Sequence, residues 1–478
     1  MIMPAIASRL ALATAVLLLS TAHAQHQGHE RPASAREELG SSQGAHQHGH
    51  GAAPGEEEPP RGNHHAMPNM AGMDHRAMDH SPLNAAGMFL MGQSSGTSYQ
   101  PSAWPMPMAM NRLGRWSFMW MGQAYLVGTV QSGPRGGDKL YSSNWGMLGA
   151  VRSLGRGSVM LRSMVSLDPA TITHRYYPLL FQTGEAAFGQ PIVDGQHPHD
   201  LFMELAAQYA RPVGEKGMWN AYYAPVGDVA LGPTAFPHRA SAMELPQATL
   251  AHHWQDATHI ANNVVTTGLS WGNVRLEASG FHGREPNENR WNIDLGKIDS
   301  WSSRFSVFPS RKWMAQASIG RLENPEQFHP DDVVRATASI HHVSPRPAGN
   351  YWATSFIWAR NYKTLERLAT QAVVAETVVP FRRKNFVTAR FEWSQRDELF
   401  ERDHDLAHEI EERTGERAFP VTAYIIGYTR DVEIFRDVQT GVGINLTAYA
   451  IDDVLKPYYG SRPWGLNVFV RVRLKPTR

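Results

Sequence analysis

Cysteine is absent from all 478 residues, which removes disulfides, thiolate metal ligands and thiol nucleophiles from consideration. Long apolar runs are missing too, since no stretch reaches the roughly eighteen residues that a membrane-spanning helix needs. Any crossing of a bilayer would have to be made by strands. The formal charge is only +1 at pH 7 and basic clusters are lacking, so nucleic acid is not an expected partner. His404 and His408 lie four apart without the HExxH order of a zinc protease, no serine is singled out as a nucleophile, and no organic cofactor is indicated.

What is present begins with an export signal. Arg9 gives a sparse positive region, Leu10–Leu19 is a short apolar run, and Ala22-His23-Ala24 supplies the small-x-small pattern before Gln25. Residues 1–24 are therefore read as a removed signal peptide.

Residues 25–110 read as a disordered arm, rich in Gly, Pro, Ser, His and Met, with no sustained period of 3.6 or 2. The arm holds eight acidic and four basic residues. Its densest chemistry is Met73-Asp74-His75 followed by Met78-Asp79-His80, with Met67 and Met70 just upstream. Thioethers prefer Cu(I) or Ag(I), whereas imidazole suits Cu, Zn or Ni, so copper in either oxidation state is the metal that uses both ligand types. A solvated spacer without metal is the competing reading.

From residue 111 the pattern changes. Trp116, Phe118, Trp120, Ala124 and Leu126 alternate with Ser117, Met119, Met121, Gln123 and Tyr125, a period of 2 over about fifteen residues, whereas strands of soluble proteins usually run five or six. The same grammar recurs in Asn273–Gly280 and Asn385–Arg396, and in Trp464–Lys475, where Val468, Val470 and Val472 oppose Phe469, Arg471 and Arg473. Lipid accepts the first row and a wet interior the second. Residues 111–478 are thus expected to be an all-β, closed, antiparallel transmembrane β-barrel of 12–16 strands in the outer membrane of a Gram-negative bacterium, with lipid as a partner and the arm in the periplasm. Met119, Met121 and Gln123 should point inward, as should His341 with Arg335, Thr337 and Ser339.

Three connections, 169–198, 226–257 and 399–418, are too long for hairpins. The third is highly charged and reads as a solvent-exposed loop with a helical turn. At the end of the first and just beyond it, Asp194, His197, His199 and Asp200 fall within seven positions; in the second, His252 and His253 follow Glu244 and precede His259. If these loops fold inward over the barrel mouth, they bring imidazoles and carboxylates together as a divalent metal site. Backbone hydrogen bonding in a tight, proline-containing loop is the alternative.

The segment MAGMDHRAMDH, set after an export signal and before a β-barrel, resembles the B-type copper-resistance outer-membrane proteins. That resemblance implies an arm that binds copper through Met67, Met70, Met73, Asp74, His75, Met78, Asp79 and His80, a barrel that contributes to resistance or passage, and periplasmic metal-handling proteins as partners. The chain departs from barrels of this kind in ending on Pro476-Thr477-Arg478 rather than an aromatic residue, and its DGQHPHDLFMEL stretch has no place in the resemblance. Two other functions stay open: a general channel or structural surface protein with no metal role, and a membrane-embedded hydrolase. A continuous interior row of Met and His would favour transport, and a sealed bundle of Arg, Glu and aromatic side chains a structural role.

Overall fold

The computed structural model describes residues 83–347, 350–435 and 438–475. Its strands are β1 (Ala109–Leu113), β2 (Trp116–Gln131), β3 (Asp138–Leu154), β4 (Gly157–Val165), β5 (Tyr177–Ala187), β6 (Gln190–Gln196), β7 (Phe202–Val213), β8 (Gly217–Gly227), β9 (Ala261–Trp271) and β10 (Val274–His282). They continue as β11 (Ser300–Ser310), β12 (Trp313–Leu322), β13 (Val333–Pro345), β14 (Tyr351–Lys363), β15 (Leu368–Phe381), β16 (Asn385–Arg396), β17 (Phe419–Val432), β18 (Val438–Ile451) and β19 (Trp464–Leu474). Sixteen of them, β2–β4 and β7–β19, form one antiparallel ring that closes where β19 pairs with β2. Closure leaves no long edge of unpaired backbone, which is what a strand wall in an apolar medium requires. The short β1 pairs with the start of β2, below the end of β19.

Alternation decides which face each side chain takes. Leu126, Phe305, Ile426, Leu446, Val468 and Val470 are exposed on the outer wall, while Met119, Met121, Gln123, Arg335, His341 and Arg471 are buried inside, as the period of 2 predicts. One end of the barrel carries tight turns, including Gly155-Arg156 and Gly272-Asn273, where the glycines take φ of +58° and +57°. Trp271, Trp313, Trp352 and Phe381 are exposed beside that end, as an aromatic girdle. The other end carries the long connections.

Residues 83–110, expected to belong to a disordered arm, are folded. Helix α1 (Ala85–Met91) starts on Asn84, whose side chain accepts from Gly87 N at 3.0 Å and donates to Gly157 O at 2.8 Å, beside a tight turn. Its Ala86, Phe89, Leu90 and Met91 are buried against an inner wall of methionines, among them Met119, Met121, Met147, Met160, Met164 and Met218. The unbranched thioethers fill the irregular space between helix and wall. Local composition hid this element because its apolar partners come from strands far along the chain.

The lumen is filled by the β4–β7 and β8–β9 connections. The first contributes the β5–β6 hairpin, and nearly every residue from Asp228 to Ile260 in the second is buried. Wall residues grip this second connection: Arg396 donates to Leu250 O at 2.6 Å, Glu392 accepts from Leu250 N at 2.5 Å, and Glu376 accepts from Arg239 at 2.5 Å and Arg390 at 3.0 Å. Arg275 pairs with Glu277 at 2.9 Å and Arg390 with Glu392 at 3.6 Å, so these inward arginines are neutralised within the wall. The third long connection does carry a helix, α2 (His404–Thr414), capped by Asp403 and ended by Gly415 with φ of 71°.

Candidate metal centre

Two sequence-distant loops meet inside the barrel and bring five imidazoles into one cluster. His197 and His199 leave β6 on either side of Pro198, and His252, His253 and His259 come from two short helical turns just before β9. Ring centroids lie 5.2 Å apart for His252 and His253, 5.4 Å for His252 and His259, 5.5 Å for His199 and His259, and 5.7 Å for His197 and His253. A sixth ring, His238, sits edge-on to Trp145 at 4.2 Å, and Trp145 belongs to the methionine-rich wall.

The hydrogen bonds fix the tautomers. Nδ1 of His199 is 2.8 Å from Asp168 Oδ2, Nδ1 of His252 is 2.6 Å from Asp256 Oδ1, Nδ1 of His259 is 2.8 Å from Asp256 O, and Nδ1 of His197 is 3.0 Å from Pro198 O. Carbonyl and carboxylate oxygens only accept, so Nδ1 is the donor in each case and Nε2 keeps its lone pair. This is the arrangement that orients metal-ligating histidines. Nε2 of His259 and both ring nitrogens of His253 are buried without a hydrogen-bond partner; Nε2 of His197 stands 3.1 Å from Glu185 Oε1.

Burial pushes His197, His252 and His259 below the ordinary imidazole value and His238 down to about 3, which keeps the rings in the neutral form that ligates. For Asp256, burial opposes ionisation, but the hydrogen bond from His252 and the charge of Arg239 hold its carboxyl well below the usual range.

The spacing can be tested against a metal. With a metal–nitrogen bond of about 2.0–2.1 Å and about 1.2 Å from nitrogen to ring centre, two imidazoles on one tetrahedral ion have centres about 5.2 Å apart. The separations of neighbouring rings run from that value up to 6.1 Å. The nitrogens do not already meet at one point. Among the described residues, the group whose ligand atoms all lie within 4.8 Å of one another is Glu326, His329 and Glu398, at the long-loop end. A small cavity of about 20 Å³ beside the cluster is lined in part by His199, Phe236, Trp145 and Met243.

Of the residues singled out in the sequence, His197, His199, His252 and His253 are brought together, and Asp194 and Asp200 are not. Asp194, with φ of 59°, turns away to accept from Phe181 N at 2.7 Å and to pair with Arg135 at 2.7 Å. Asp200 faces Arg290 at 3.4 Å. The carboxylates that hold the rings are Asp168 and Asp256, which no local motif marked. Met67, Met70, Met73, Asp74, His75, Met78, Asp79 and His80 lie outside the described residues.

Among the described residues the nucleophile elbow spacing occurs twice: at Gly92-Gln93-Ser94-Ser95-Gly96, which follows a helix rather than a strand and whose Ser94 hydroxyl has no hydrogen-bond partner, and at Gly268-Leu269-Ser270-Trp271-Gly272, which lies in β9 and its hairpin turn to β10 with no helix after it. His341 does touch two serines, at 2.8 Å to Ser355 and 2.8 Å to Ser339, within a buried network that ties Ser241 to Glu376. The clustered imidazoles, in contrast, bond to carboxylates and carbonyls and not to hydroxyls.

No family model matches the sequence, and no curated protein does. Among solved structures, the chain is similar to OprB of Pseudomonas putida (10% identity, TM-score 0.47, 75% of this chain and 94% of that one). It is also similar to an anion-selective porin from Comamonas acidovorans (11%, TM-score 0.44, 75% and 99%). A third likeness is to the outer membrane channel DcaP of Acinetobacter baumannii (9%, TM-score 0.42, 76% and 99%).

Proposed function

We propose that this chain is an outer-membrane barrel that binds copper in its lumen and contributes to copper passage or resistance. The apolar outer wall, the aromatic girdle and the closed ring support the membrane setting. One observation carries the metal reading: five clustered imidazoles, four with Nδ1 engaged by an oxygen so that Nε2 keeps its lone pair, although that of His197 faces Glu185. Burying several neutral rings beside one another without hydrogen-bonding their second nitrogens costs stability, and a bound ion recovers that cost.

Imidazole suits Cu(II), and the adjoining methionine wall supplies soft thioethers suited to Cu(I). The filled lumen weighs against a wide diffusion pore. In this reading the Met/His sites of residues 67–80 serve on the side of the tight turns, where the described chain begins beside Gly157. That end is periplasmic in barrels with long outer loops.

The test is titration of the purified full chain in detergent with Cu(II), against His252→Ala with His259→Ala. Binding with imidazole nitrogen couplings that the double variant loses supports the proposal. Equal binding by both proteins overturns it.

A further inference from the structure

The long-loop end holds a second group of ligand atoms. Glu326 and His329 come from the β12–β13 connection and Glu398 from the β16–β17 connection, and their ligand atoms all lie within 4.8 Å of one another. Three ligands about 2.1 Å from one ion lie at most about 3.6 Å from one another, so closing on an ion needs each ligand atom to move by up to about 0.7 Å. His329 lies between two carboxylates, with Nε2 2.8 Å from Glu401 and Nδ1 3.6 Å from Glu366, so an ion that binds the ring displaces one of these ion pairs. Lys363 is a counter-charge, but it is engaged by Asp397 at 2.8 Å and Glu398 at 3.0 Å, leaving the Glu326 carboxyl pressed against that of Glu398.

A separate observation ties this mouth to the interior. Glu285, on the β10–β11 connection, is buried to 8% side-chain exposure, and neither of its carboxylate oxygens makes a hydrogen bond. Its Oε1 stands 3.5 Å from Nδ1 of His253, itself unpartnered, and its charge also acts on Glu326. A buried carboxylate whose oxygens make no hydrogen bond, facing His253 and the charge of Arg335, can take up a cation passing between the two ligand groups.

From this juxtaposition we infer that Glu326, His329 and Glu398 form an entrance site for a hydrated divalent transition-metal ion, which Glu285 relays to His253 and the imidazole cluster. Two carboxylates and one imidazole are hard to borderline donors, suited to capture before the ion sheds its water, and the imidazoles beyond are the stronger ligands for Cu(II). The relay rests on the copper reading of the cluster; the entrance site does not.

The experiment loads the full chain in detergent with Cu(II) and follows electron paramagnetic resonance, in which carboxylate-rich and imidazole-rich populations differ in nitrogen coupling. Wild type is expected to give both. Glu326→Gln with Glu398→Gln should lose the carboxylate-rich signal, keep the imidazole-rich one, and fill it at least about tenfold more slowly, since a mouth charge acts mainly on the on-rate. Glu285→Gln, which leaves both ligand groups in place, should keep both signals and slow only the filling of the second. Unchanged circular dichroism confirms that the variants fold.

Retention of both signals at the wild-type rate in the Glu326/Glu398 variant would overturn the entrance site. A wild type with only the imidazole-rich signal overturns it too and leaves the cluster standing. A wild type with only the carboxylate-rich signal supports the entrance site and overturns the cluster.

Discussion

Asp256 offers the sharpest probe of whether the clustered histidines are ligands. Its Oδ1 holds His252 Nδ1 at 2.6 Å and its Oδ2 receives Phe236 N at 3.0 Å and Arg239 at 2.9 Å, while its backbone carbonyl, not its side chain, holds His259. Asp256→Asn therefore removes the charge behind His252 and leaves His259 anchored. Loss of such a supporting carboxylate weakens metal binding about 10–100-fold, or about 1.4–2.7 kcal/mol. Arg239 keeps Glu376 at 2.5 Å, so the amide variant should fold; Asp256→Ala, which strips all three bonds, should cost about 3–5 kcal/mol of stability. The assay is Cu(II) competition against a chelator of known affinity, with urea unfolding alongside. Because Asp256 acts through His252, adding Asp256→Asn to His252→Ala should weaken binding little further. Wild-type copper affinity in a folded Asp256→Asn protein would refute the reasoning, as would full additivity of the two changes.

Three further outcomes are expected. Gly184 has φ of +104°, and a Cβ there would lie 2.6 Å from His253 Cε1. Gly184→Ala should destabilise by more than about 1 kcal/mol in urea and displace His253, lowering copper affinity, whereas a variant matching wild type on both counts would remove His253 from the account. Leu446, exposed at mid-strand on the outer wall, should cost about 2–4 kcal/mol as Leu446→Arg when unfolding is measured in lipid vesicles, and a negligible cost would contradict a lipid-facing wall. Deleting residues 25–82 should lower the number of Cu(I) ions bound while sparing the Cu(II) signal of the imidazoles; an unchanged Cu(I) count would refute a ligand role for Met67–His80.

The barrel was legible in the sequence because alternation is a local property. Val468 and Val470 facing out with Arg471 and Arg473 facing in requires only that one strand be read against two solvents. The interior was much less so. Residues 83–110 lack a period because Leu90 and Met91 bury themselves against β3, β4 and β7 rather than along one stripe of a longer helix. His199 stands just before a strand without joining it: its N–H goes to Asp168 at 3.3 Å, and β7 begins at Phe202.

The sites followed the same division. Asp194, His197, His199 and Asp200 are neighbours in sequence, and proximity alone suggested one site. Backbone direction separates them, sending Asp194 to Arg135 and Asp200 to Arg290. Of the carboxylates that hold the rings, Asp168 comes from 31 positions away from His199, whereas Asp256 stands four after His252. His238 and Glu285 carried no local signal, and their surroundings exist only once the loops have entered the lumen.

The central claim is that the luminal imidazoles bind copper. Anomalous diffraction at the copper edge from crystals of the full chain soaked with Cu(II) tests it most directly. A peak within about 2.0–2.2 Å of nitrogens from at least three of His197, His199, His252, His253 and His259 is the predicted result. A map with copper elsewhere, or none inside the barrel, would contradict it.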